Sequence, residues 1–147
     1  MKISIGSDHA GFERRVELAE RLKEAGHEVT LRGATGLDSY DYPKASDAVA
    51  RDVLSNLSEF GVLLCGTGIG VSIRANRYLG IRAANCCTIE MAELARRHNH
   101  ANVLCLGARL LNLDQAWAIV ETFLGTPTDP DERHARRVAE LGSPNLS

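Results

Sequence analysis

The chain has 147 residues, 44% of them hydrophobic and 24% charged, with a formal net charge of −2 at pH 7. That length suits one domain with a real core, and the charge balance excludes the basic surface that nucleic-acid partners require. Aromatics make up only 5%, which disfavours a base-stacking platform, and no apolar run approaches the roughly 20 residues of a membrane span, so no membrane partner is expected.

The N-terminus enters Lys2-Ile3-Ser4-Ile5 with no signal-peptide pattern. Cys65, Cys86, Cys87 and Cys105 lie in or beside apolar runs, without metal-type Cys-x-x-Cys spacing. A cytoplasmic protein with reduced thiols is the expectation. Residues 2–6 read as a first strand that ends in the polar turn Gly6-Ser7-Asp8-His9-Ala10-Gly11. Phe12, Val16, Ala19 and Leu22 recur at helical spacing, and Gly26 is a helix stop. Residues 28–31 are β-compatible and 33–41 form a loop. Pro43 suits the first turn of a helix whose apolar stripe is Ala45, Val49, Val53 and Leu57. A central strand at 61–65 runs into Gly66-Thr67-Gly68-Ile69-Gly70, after which Val71, Ile73 and Ala75 begin a helix.

Gly80-Ile81-Arg82-Ala83-Ala84 reads as a fourth strand. Thr88 caps a helix in which Met91, Leu94, Ala95 and His98 share a face. A fifth strand covers 101–106. Asn112 with Gln115 forms a capping box before a helix that Gly125 ends. After a break, 128–142 holds a last helix with a small apolar face, expected to pack on a partner subunit. The alternation of strands and helices predicts a three-layer α/β/α, Rossmann-like fold. It has a five-stranded parallel sheet and an extra C-terminal helix. Ligands of such folds sit outside the C-terminal strand ends. Ser7-Asp8-His9, Cys65-Gly66-Thr67 and Gly107-Ala108-Arg109 all fall there.

Cys65 ends its strand where a glycine loop and a helix start follow, an environment that exposes sulfur and favours thiolate. A buried structural cysteine is the bland alternative, and it holds for Cys105; the Cys86-Cys87 pair at a strand end reads as packing rather than redox. The glycines lack the Gly-x-Gly-x-x-Gly dinucleotide spacing, and Val71 stands where a Cys-x5-Arg phosphatase needs arginine. What remains is a nest of backbone N–H groups for a phosphate or for an oxyanion formed during reaction. Asp8-His9 sits at a ligand-side strand end. His98-Asn99-His100 closes a helix, and a metal site from His9, His98 and His100 is not demanded by their spacing. Arg133 and Arg137 are helical i, i+4 neighbours, suited to a phosphate or to a solvated face.

These segments together resemble the type B ribose-5-phosphate isomerases of the ribose/galactose-6-phosphate isomerase family. The match runs through Gly6-Ser7-Asp8-His9-Ala10-Gly11-Phe12, Asp41-Tyr42-Pro43, Cys65-Gly66-Thr67-Gly68-Ile69-Gly70 and Gly80-Ile81-Arg82-Ala83. It continues through His98-Asn99, Asn102-Val103, Gly107-Ala108-Arg109, Arg133-His134 and Arg137. The resemblance implies a cofactor-free, metal-free aldose–ketose isomerisation of a sugar phosphate through a cis-enediolate, in the pentose phosphate pathway. Cys65 is then the base, Thr67 assists it, and N–H groups of Gly66, Gly68, Ile69 and Gly70 hold the enediolate. His98 opens the sugar ring, Asp8 and Asn99 position hydroxyls, and Tyr42 lines the pocket. His9, Arg109, Arg133 and Arg137 hold the phosphate. The family's site lies between subunits, which implies a homodimer or a homotetramer, with His98, Asn99 and Arg109 supplied opposite Cys65. One branch of the family uses a glutamate six residues after the cysteine position; Val71 stands there, which leaves Cys65. His98-Asn99 favours ribose 5-phosphate over a six-carbon allose or galactose 6-phosphate; a non-catalytic phosphosugar-binding module is the other alternative. Two departures are His100, where the family commonly has aspartate, and Arg74, where a small residue is usual. Arg74 either binds a partner carboxylate or alters the pocket's edge.

Overall fold

The computed structural model describes residues Met1–Ser147. Five strands, β1 (Lys2–Ser7), β2 (Glu28–Gly33), β3 (Phe60–Cys65), β4 (Ala83–Asn85) and β5 (Val103–Gly107), form one sheet in the order β2-β1-β3-β5-β4. Every neighbouring pair is parallel. The helices are α1 (Phe12–Glu24), α2 (Tyr42–Leu54), α3 (Ile69–Ala75), α4 (Ile89–Asn99), α5 (Leu113–Gly125) and α6 (Glu132–Leu141).

Alternate side chains of each strand face opposite layers. Ile5, Val62, Leu64, Leu104 and Leu106 pack with Leu18 and Leu22 of α1, Ala95 of α4, and Ile119 and Phe123 of α5. Leu63, Cys65, Val103 and Cys105 pack on the other side with Val49 and Val53 of α2 and Val71 and Ala75 of α3. The three-layer expectation therefore holds, and Cys65 belongs to the α2/α3 side. Buried Asp52 of α2 ties two strands to this layer. It accepts from Ser4 Oγ at 2.7 Å and from Arg32 at 2.8 and 3.0 Å. Burial alone would push its carboxyl up, but the bonds from Arg32 and Ser4 outweigh that and hold it below 3.8.

Several boundaries differ from the sequence expectations. The fourth strand begins at Ala83, not Gly80. Gly80 has φ +91°, and Asn102 takes the place of a strand neighbour there. Its side chain donates to Gly80 O and accepts from Arg82 N, both at 2.8 Å. The second strand runs on to Gly33 and the fifth covers Val103–Gly107. The last helix begins at Glu132, with the Asp131 side chain accepting from Arg133 N. Val16 is exposed while Leu18 is buried, and in α4 the buried residues are Ala92 and Ala95, with Met91 and Leu94 exposed. Leu57 lies beyond α2 and is exposed. The caps at Thr88 and Asn112, and Pro43 in the first turn of α2, are as expected.

Candidate active site

β1 and β3 are neighbours whose onward connections run to opposite sides of the sheet, so their C-terminal ends flank a topological switch point. Asp8 N donates to Leu64 O across this junction at 3.3 Å. Cys65 is the last residue of β3 and is buried. The chain then turns sharply, Gly68 adopting φ +78°, so that Gly68 N donates to Cys65 Sγ at 3.2 Å. A backbone N–H aimed at sulfur stabilises negative charge there. Thr67 is exposed beside it, its Oγ1 accepting from Ile69 N at 3.2 Å.

Two side chains lie directly on this loop, in space that only glycine leaves open. A Cβ on Gly66 would stand 3.0 Å from Arg109 Nη1, and one on Gly70 would stand 2.7 Å from the Tyr42 ring. Within one chain Arg109 therefore lies over the glycine loop. The physical reason is that Arg109 follows β5, which pairs with β3 in register up to Cys65 and Gly107.

Asp8 is buried and accepts from Gly11 N at 3.0 Å. His9 Nδ1 lies 3.1 Å from Tyr40 N and 3.4 Å from Tyr40 O, which fixes the ring on the 33–41 loop. Both line a groove of about 480 Å³ with Tyr40, Tyr42 and Arg74. Arg74 is bidentate to Asp47 of its own chain, at 2.7 and 3.0 Å. Of its two expected roles, the pocket-edge role fits, and its carboxylate partner is internal. Among the other buried cysteines, burial pushes the Cys105 thiol up, and burial with neighbouring Cys87 raises Cys86 to about 11. Neither is suited to proton abstraction near neutral pH.

His98, Asn99, Arg133 and Arg137 form a second group. α4 runs back against the strands, so its end lies near the start of β5, on the order of 15 Å from the strand's C-terminal end. His98 thus sits at the opposite end of the sheet from its own chain's Cys65. His134 stacks on His98 with ring centroids 4.2 Å apart and planes within 7°. His134 is buried and its Nε2 has no partner; burial, then His98 and Arg133, hold its imidazolium below the ordinary 6.5. His98, Asp129 and His134 place donor atoms within 4.8 Å of one another. Imidazole lone pairs lie in the ring plane, so stacked rings direct theirs along parallel planes and do not converge on one ion. Asp129 is also engaged by Arg97 at 3.5 Å and by Asp131 N at 2.9 Å. The cluster does not fit a metal. A groove of about 710 Å³ beside it is lined by Asn99, Tyr78, Leu79, Val138 and Leu141.

Sequence reasoning gave no role to Asn85, which touches the glycine loop, or to His134 as the partner of His98. Neither lies within a pattern of period or spacing. The first is a polar residue closing a short strand, and the second is one of several basic residues on α6.

Residues 3–141 match the model of the family described as Ribose/Galactose Isomerase. Ribose-5-phosphate isomerase B of Escherichia coli (strain K12) is 41% identical over 95% of this chain and 93% of its own length. The crystal structure of a ribose 5-phosphate isomerase from Thermotoga maritima superposes with a TM-score of 0.95 and 48% identity, covering 97% of this chain and 98% of that one. Ribose-5-phosphate isomerase B of Clostridium thermocellum gives the same TM-score at 46% identity, over 97% of this chain and 95% of that one. The chain belongs to the ribose/galactose isomerase family.

Proposed function

We propose that this chain is an aldose–ketose isomerase that interconverts ribose 5-phosphate and ribulose 5-phosphate, as the names of its relatives state for them. The observation that carries the mechanism is the buried sulfur at the switch point with a backbone N–H aimed at it. Moving a proton between C1 and C2 of an open-chain sugar requires a base of modest strength and a stabilised oxyanion. Cys65 acts as that base, and Thr67 relays the hydroxyl proton. Of the N–H groups expected to hold the enediolate oxygen, those of Gly68 and Ile69 are directed to Cys65 Sγ and Thr67 Oγ1, so Gly66 and Gly70 supply that role. Asp8 positions a sugar hydroxyl, Tyr42 lines the pocket, and His9 and Arg109 face the phosphate.

Ring opening by His98, hydroxyl binding by Asn99 and phosphate binding by Arg133 and Arg137 call for residues from the far end of the sheet. A second copy brings them to Cys65. The working form is therefore a homodimer, or a homotetramer built from such dimers, with residues 128–142 against the partner. A cytoplasmic location suits a reaction that needs Cys65 reduced. A coupled assay across five- and six-carbon aldose phosphates tests the activity. Turnover of ribose 5-phosphate, undiminished by EDTA, is the expected result; no turnover of that substrate would contradict it.

A further inference from the structure

Asn85 ends β4 and reaches across β5 to the glycine loop. Its Nδ2 donates to Thr67 O at 3.3 Å. Its Oδ1 occupies the space where a Cβ on Gly68 would lie, and the Leu106 backbone closes the other side at 2.9 Å. The Thr67 carbonyl and the Gly68 N–H belong to one peptide group. A trans peptide is planar and directs its C=O and N–H in opposite directions. Fixing the carbonyl on Asn85 therefore fixes the N–H on the other side, where it meets Cys65 Sγ at 3.2 Å. Without this anchor, a peptide that includes glycine rotates at little steric cost, since Gly68 tolerates either sign of φ.

We propose that Asn85 is a positioning residue for the proton transfer: by holding the Thr67 carbonyl, it aims the Gly68 N–H at the Cys65 sulfur. The inference rests on Cys65 being the base. Asn85 works through the orientation of the Thr67–Gly68 peptide, so its loss weakens stabilisation of the Cys65 thiolate that takes the proton and leaves substrate binding in place.

The test uses the full-length enzyme with Asn85→Leu, which keeps the approximate shape without a donor, and Asn85→Asp, which offers only acceptors. In both, kcat falls about tenfold, the equivalent of one well-made hydrogen bond, and KM for ribose 5-phosphate stays within about twofold. Alkylation of Cys65 by iodoacetamide, which requires thiolate, slows in step with kcat, and affinity for a non-enolisable polyol phosphate is unchanged. Wild-type kcat in either variant while Cys65→Ala is inactive overturns the inference. So does a loss of polyol phosphate affinity that matches the loss of kcat and comes with a lower melting temperature, since that is a purely structural role. Full activity in Cys65→Ala overturns the base assignment and this inference with it.

Discussion

Cys65 differs from Cys86 and Cys105 in its surroundings rather than in its residue type. All three are buried, yet only Cys65 has a backbone N–H directed at its sulfur by a tight turn. The turn depends on Gly68 at φ +78°, and the covering groups depend on glycine at positions 66 and 70, where Arg109 and Tyr42 lie. The proposed base and its proposed oxyanion donors therefore come from one tight bend of chain. Cys65→Ala is expected to lower kcat by about 10³-fold, the scale of a lost general base, while a bound sugar phosphate analogue is still detected by calorimetry. A variant that retained most of its kcat would remove Cys65 from the reaction. The chemistry of this stretch was legible in the sequence because strand, cysteine and alternate glycines are contiguous. Asn85 was not, because its contact with Thr67 depends on β4 lying beside β5 and on the exact length of a three-residue strand.

At the level of elements, α6 is held to α4 by the His98–His134 stack and by Asp129 N donating to Arg97 O at 3.0 Å. His134 faces His98 and Arg133, which disfavour its protonation, and Asp129 and Asp131, which favour it; burial is the largest influence, and the net shift is downward. A histidine with a lowered folded pKa binds its proton more readily when released, so docking of α6 is strongest above about 6.5 and weakens as pH falls below it. Amide protection factors in residues 132–141, corrected for the intrinsic pH dependence of exchange, should fall between pH 7 and 5.5. His134→Phe, which keeps a flat ring and carries no proton, should abolish that dependence; an unchanged pH response in this variant would contradict the account. Periodicity predicted where α6 and α4 lie to within a few residues. It placed Met91, Leu94 and Ala95 on one face; Ala95 is buried, but Ala92 joins it there and Met91 and Leu94 are exposed. The early start of the fourth strand failed because Asn102 supplies side-chain bonds where a strand neighbour was expected.

For the whole molecule, parallel topology separates the groups assigned to the proposed reaction. Asp8, His9, Tyr42, Cys65 and Arg109 gather at the C-terminal strand ends, and His98, Asn99, Arg133 and Arg137 gather at the other end. Helix connections in a parallel sheet return the chain to the strand starts, so no rearrangement of side chains brings the two groups together within one copy. Exposed Ile69, Ile73, Leu79 and Leu141 provide apolar surface for a second copy to cover. The proposed site is completed across two copies, and mixing two inactive variants tests this. Cys65→Ala and His98→Ala are each purified, mixed in equal amounts, unfolded and refolded together, and assayed for ribose 5-phosphate turnover. Random pairing into symmetric dimers gives one intact site in half of the dimers, so about a quarter of wild-type activity should return. No recovery above the separate variants, with mixed dimers verified by mass spectrometry, would contradict the account.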